Sequence, residues 1–132
     1  MKRLGLFCFS LLLSFSAYTN TPSAADRGLS WLALVDAEQY EASWAETAPL
    51  FKAQVSVKQW AETIQKARAP FGQLLAREVS GSSEHASLPG APDGEYVVLS
   101  ITSQFAHKAH AIETLTMKKE GDEWLAIGYF IQ

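Results

Sequence analysis

The chain contains a single cysteine, Cys8, and it lies in the first apolar stretch. No internal disulfide can form, and once that stretch is removed no thiol nucleophile or thiolate metal site is left. Basic residues are also scarce, with 11 Lys and Arg against 14 Asp and Glu and a formal net charge of −3. A chain so charged displaces few phosphate counterions, which argues against a nucleic-acid partner. There is no His-Glu-x-x-His, no dinucleotide fingerprint and no nucleophile elbow. Gly81-Ser82-Ser83 lacks the lysine and the spacing of a phosphate loop, so no cofactor is expected.

What is present begins with a removable leader. Met1-Lys2-Arg3 is positive, Leu4 to Phe15 is apolar apart from Ser10 and Ser14, and small residues follow. This is the pattern of a secretory signal peptide, with cleavage after Ser16 or after Ala25. The apolar run falls short of the roughly 20 residues that a spanning helix needs, so no stable membrane insertion is expected after cleavage. Loss of the two basic residues Lys2 and Arg3 moves the formal charge from −3 to −5. The expected organisation is a leader over 1–25 and one domain over 26–132, located in the periplasm or secreted. Apolar residues make up 48% of the chain, enough for one core.

Helical periodicity governs the first half of that domain. Ala24, Gly28, Trp31, Leu32 and Val35 make one apolar stripe, with Asp26 near its N-terminus and Asp36 ending the helix or capping the next. Tyr40 and Trp44 mark a short second helix, and Pro49 interrupts or restarts it. Ser56-Val57-Lys58-Gln59 has the form of a capping box and opens a further helix with Val57, Trp60, Ala61, Ile64 and Ala67 on one face. Ala69-Pro70 ends it, because a residue before proline is driven out of the α region.

The second half changes period. Gly72 to Ser80 reads as a first strand, and Gly81 to Gly94 as a long turn-rich loop. Tyr96 to Thr102, Ile112 to Met117 and Trp124 to Ile131 read as three more strands, with Glu120-Gly121-Asp122 as a turn. Helices followed by a strand meander predict an α+β fold, with the helices on one face of an antiparallel sheet of about four strands. The order is similar at fold level to cystatin-like and nuclear-transport-factor-2-like rolls. Facing is open at this point. A two-residue loop at Lys108-Ala109 places Glu113 opposite Gln104, and a loop one residue longer or shorter places it opposite a neighbour such as Phe105.

Several short motifs run through the domain in order: Trp31-Leu32-Ala33-Leu34-Val35-Asp36, Tyr40-x-x-Ser43-Trp44, Trp60, Arg68-x-Pro70-x-Gly72, Arg77, Leu88-Pro89-Gly90-x-Pro92-Asp93-Gly94-x-Tyr96, Glu113-Thr114-Leu115 and Gly128-Tyr129-Phe130-Ile131. This ordered set resembles DUF4019, a family of uncharacterised bacterial proteins. The resemblance implies an exported bacterial protein with no assigned activity.

The candidate site residues are Trp60, Arg68, Arg77, Glu113 and Tyr129. Glu113 interrupts an apolar strand. It is the acidic half of an ion pair with Arg68 or Arg77, a hydrogen-bond partner of a helix end, an exposed glutamate, or an unpaired carboxylate of raised pKa acting as a general acid or base in a cup between sheet and helices. Arg68 and Arg77 flank Pro70 and Gly72, where an arginine fork ties a loop down or binds an anion. His107 and His110 bracket a turn, with His85 or Glu84 as the nearest further ligands, and no metal site is expected. Trp31, Trp44, Trp60 and Trp124, with Tyr40, Tyr96 and Tyr129, lie on the apolar stripes and are expected to fill a core. The leading functional expectation is a non-catalytic binding or interaction module taking a protein or small-molecule partner. The alternative is a small isomerase- or hydrolase-like enzyme using Glu113. A homodimer through an exposed sheet face bearing Val98, Trp124 and Phe130 is a further expectation.

Overall fold

The computed structural model describes residues 20–132. Of the predicted leader over 1–25, residues 1–19 therefore lie outside the described residues and 20–25 within them. Four helices come first: α1 (Ala24–Asp36), α2 (Tyr40–Ala45), α3 (Pro49–Gln54) and α4 (Val57–Arg68). A single 3-10 turn, Ala69–Phe71, leads to strands β1 (Leu74–His85), β2 (Tyr96–Phe105), β3 (Lys108–Glu120) and β4 (Glu123–Ile131). The strands pair in sequence order as an antiparallel meander, giving the expected α+β arrangement.

Local chemistry explains the helix bounds. Ser23 caps α1 by accepting from the Asp26 amide at 3.1 Å. Two backbone bonds close its far end, Glu38 N to Val35 O at 3.0 Å and Gln39 N to Leu34 O at 2.9 Å. That is a Schellman closure with Glu38 in the left-handed position, at φ 60°. Pro49 sits in the first turn of α3, where its missing N–H costs nothing. Ser56 and Gln59 complete the capping box of α4 in both directions, at 3.2 and 2.9 Å.

The stripe Ala24, Gly28, Trp31, Leu32 and Val35 is buried throughout. It meets Leu99, Ile101, Leu115 and Met117 of the sheet, joined by Trp60 and Ile64 of α4. Gly28 permits the close approach, since a Cβ there would stand 2.6 Å from Leu99 Cδ1. Indole donors lock the helices together. Trp31 donates to Ser43 O and Trp60 to Ser43 Oγ, both at 2.9 Å, and Trp44 donates to Val55 O at 2.8 Å. The helix–sheet interface is thus a packed core and not an open cup.

Three sequence expectations need correction. The first strand begins at Leu74 rather than Gly72 and runs on to His85, through residues read as loop. Gly81 to His85 are poor strand formers, but each pairs in register with Tyr96 to Ser100 of β2, and the sheet overrides the local preference. The loop is accordingly 86–95. It folds back over Tyr96, whose hydroxyl donates to Pro92 O at 2.5 Å.

The β2–β3 turn is Ala106-His107, not Lys108-Ala109, and a bulge between Ser103 and Phe105 shifts the register by one more residue, so Glu113 faces Ile101 and neither Gln104 nor Phe105. Tertiary bonds fix this choice. The Ala106 amide donates to Gln73 O at 2.8 Å and the His107 amide to Phe71 O at 2.9 Å, tying the turn to the segment after α4. Gly72 lies beneath the His107 ring at φ 73°, where any Cβ would collide with the imidazole.

Trp124 belongs to the helix side, packed against the core, so it is not part of the outer sheet face proposed for dimerisation. Phe130 is on that outer face and 61% exposed. A bulge between Ala126 and Gly128 makes the difference. It shifts the alternation by one residue, so that Ala126 and Tyr129 point the same way.

Candidate functional site

Six elements each deliver one polar side chain to the same place under the helices. Asp36 comes from the last turn of α1, Arg68 from the last turn of α4, Arg77 from β1, Ser103 from β2, Glu113 from β3 and Tyr129 from β4. Strand alternation aims Arg77, Ser103 and Glu113 inward, in line with Val79, Ile101 and Leu115. The β4 bulge brings Tyr129 to meet them.

Arg77 is the hub, with a side chain 6% exposed. Its Nε donates to Glu113 Oε1 at 2.8 Å and its Nη2 to Glu113 Oε2 at 3.1 Å. Its Nη1 donates to Asp36 Oδ2 at 2.7 Å and its Nη2 also to Asp36 Oδ1 at 3.0 Å. Two carboxylates thus fork onto two edges of one guanidinium, the strongest arrangement available to such ions. Burial works against the Arg77 charge, but the Asp36 and Glu113 carboxylates outweigh it and raise the pKa.

Glu113 has no solvent exposure. Besides Arg77 it accepts from Ser103 Oγ at 2.5 Å and from the Tyr129 hydroxyl. Both oxygens are therefore engaged twice. Tyr129 is pushed far above the usual phenol range, first by burial and then by the Glu113 carboxylate.

Arg68 completes the ring of charge through Nη2 to Asp36 Oδ1 at 2.7 Å, and its guanidinium lies 4.8 Å from the Phe105 ring centroid. Its two remaining nitrogens, Nε and Nη1, have no hydrogen-bond partner among the described residues.

Four of the five sequence candidates, Arg68, Arg77, Glu113 and Tyr129, meet here. The ion pair that Glu113 makes is with Arg77, while Arg68 is joined to it only through Asp36. Trp60 sits apart in the core, with ring centroids 5.4 Å from Phe51 and 5.7 Å from Trp31. Trp31 is the bridge to the network, 6.0 Å from Tyr129.

Sequence reading missed Asp36 and Ser103 as members. Each carried a signal. An aspartate in the last turn of a helix opposes the macrodipole and needs a cation, which Arg68 and Arg77 supply. Ser103 is a polar residue at an inward position of β2, between Ile101 and Phe105.

The chemistry open to this cluster is limited. A general base needs an oxygen with acceptor capacity to spare, and both Glu113 oxygens are committed. The Ser103 proton is already given to Glu113, so its hydroxyl is an orienting donor. Among the described residues no group of three or more His, Cys, Asp or Glu side chains could hold a metal ion. His107 packs on Gly72, and His85 Nε2 lies 2.8 Å from Ser83 Oγ.

The model of a family of proteins of unknown function, DUF4019, matches residues 27–129. The chain belongs to the DUF4019 family. The matched span runs from α1 into β4 and takes in all six members of the network. In this DUF4019 protein the motifs Arg68-x-Pro70-x-Gly72, Arg77 and Glu113 are thus parts of one ionic assembly joining helix ends to sheet. No curated protein matches the chain.

Proposed function

We propose that this is an exported bacterial protein whose mature domain is a non-catalytic binding module of the periplasm or envelope. The observation that carries this reading is the saturation of Glu113. Glu113, the carboxylate read from the sequence as a candidate acid or base, is fully buried and spends both oxygens on Arg77, Ser103 and Tyr129. The packed core between helices and sheet supports the same reading. Both observations weigh against the rival, a small isomerase- or hydrolase-like enzyme with Glu113 as acid or base. The partner on this reading is a protein or small molecule and not a nucleic acid, given the acidic balance of the chain. A second copy is one such partner. Phe130 and Ile112, both exposed on the outer sheet face, would form the centre of its contact.

Export rests on the leader pattern of residues 1–16. Among the described residues no helix is long and apolar enough to cross a membrane. The cap of α1 supports the earlier of the two cleavage positions. A cut after Ala25 removes the Ser23 cap and the buried Ala24, whereas a cut after Ser16 leaves the helix whole.

Native mass spectrometry of the mature chain, incubated with a soluble extract of the exported compartment, tests the proposal. A retained non-covalent complex with no component of the extract consumed is the expected result. Steady conversion of a component that Glu113→Gln abolishes would establish the enzyme instead.

A further inference from the structure

Arg68 carries buried donors that the ionic network does not use. Its side chain is 10% exposed, yet Nε and Nη1 reach no acceptor among the described residues. Stripping a cationic N–H of water without giving it a partner is costly, and proteins keep such groups for a reason. Arg68 lines a cleft of about 530 Å³ between the C-terminal ends of α1 and α4. That volume is in the range of small-molecule sites. Around it stand Asp36, Glu38, Tyr40, Gln65 and Gln73.

Glu38 is the second unusual group in this cleft. It occupies the left-handed position that closes α1, at φ 60°. Glycine fills such positions without strain, and here a glutamate lines the cleft against a backbone penalty, beside Tyr40, whose pKa is raised by burial and then by the Glu38 charge. The charges then select a ligand. Asp36 and Glu113 balance Arg68 and Arg77, and Glu38 adds one negative charge. A dianion such as phosphate meets net repulsion. A zwitterion meets a matched pair, with arginine donors for its carboxylate and a glutamate for its ammonium group.

We propose that this cleft binds a free α-amino acid, its carboxylate on Arg68 Nε or Nη1 and its ammonium group on Glu38. The two nitrogens are shielded from bulk water, so seating the carboxylate moves the rim. Gln65 and Gln73 line the same cleft as exposed amides, able to donate to or accept from the bound molecule. This inference deepens the binding-module reading and rests on it.

Isothermal titration of the mature chain with the common free α-amino acids, one at a time, provides the test. Saturable binding by at least one is expected. Its N-acetyl and methyl-ester derivatives should each bind at least about tenfold more weakly, the loss of one charge-assisted contact. Glu38→Gly should raise the thermal midpoint by relieving the left-handed glutamate, while weakening binding by a similar factor. That variant separates lost binding from lost folding, which Arg68→Gln alone would not. The proposal is overturned if no amino acid binds, if N-acetylation leaves affinity unchanged, if Glu38→Gly binds like the parent, or if inorganic phosphate binds more tightly. Absence of amino-acid binding beside a retained complex in the native mass spectrum removes this site and leaves the broader reading standing. Glu113-dependent conversion of an extract component removes the broader reading.

Discussion

Glu113→Gln isolates the hub of the structure with almost no change in shape. The amide offers one oxygen and one NH2 group. The Oε1 position receives Arg77 Nε and Ser103, and the Oε2 position receives Arg77 Nη2 and Tyr129. Whichever way the amide turns, its NH2 group faces an Arg77 N–H. The two hydroxyls can reverse and accept from it, but the guanidinium cannot. Breaking a buried ion pair on one side costs about 3–5 kcal/mol. Arg77 keeps Asp36 on its other edge, which places the loss near the lower end, about 3 kcal/mol. With a urea slope of about 1–2 kcal/mol/M, the unfolding midpoint falls by about 1.5–3 M at unchanged slope. A double-mutant cycle with Arg77→Met should show a coupling on the order of 1–3 kcal/mol. The cycle with Arg68→Met should show less, because Arg68 touches Asp36 and not Glu113. A Glu113→Gln protein as stable as the parent, or equal coupling to both arginines, would refute this account and return Glu113 to the list of candidate catalysts.

Other expectations follow from the same contacts. Tyr129→Phe removes a hydrogen bond to a charged acceptor and should cost about 1.5–3 kcal/mol at neutral pH. The folded phenol titrates well above its ordinary value of 10.0, so native stability is present below that pH and declines as the pH rises past it. The Phe variant should flatten that alkaline decline, and parallel stability curves would contradict the assignment. Trp60→Ala empties a core site and leaves Ser43 Oγ without its indole donor, for a loss of about 3–5 kcal/mol by urea denaturation. A loss below about 1 kcal/mol would mean that the site collapses around the smaller residue. A chain starting at Asp26 lacks the α1 cap and should be about 1 kcal/mol or more less stable than one starting at Ala17. Mass spectrometry of the exported protein should accordingly find Ala17 at the N-terminus, and a start at Asp26 would show the cap to be dispensable.

Much of this protein was determined by the sequence alone, wherever the signal is local. The stripe from Ala24 to Val35 and the Ser56–Gln59 capping box depend on residues within one or two helical turns. They specify the helices without reference to anything distant. The β-rich runs after Tyr96 are legible for the same reason, and helices followed by a meander leave few ways to bury both apolar faces. Helix α4 does end at Arg68 before Ala69-Pro70, although Ala69 keeps helical angles at φ −53° and ψ −44° and the chain tightens into a 3-10 turn instead of leaving the α region there. Membership of Arg68, Arg77, Glu113 and Tyr129 in one cluster was also within reach, because a charge on an apolar stripe needs a partner. Which partner it finds was not, because a strand shifted by one residue turns every side chain to the other face. That choice lies in long-range bonds. The ties from Ala106 and His107 to the segment after α4 set the β2–β3 turn, and the bulge in β4 turns Tyr129 inward and Phe130 outward. Strand β1 reaches His85 only because β2 lies beside it, since Gly81 to His85 have little preference of their own. The convergence of Asp36 and Arg68, 32 residues apart, and the cleft beside them exist only once α1 and α4 end at the same edge of the sheet.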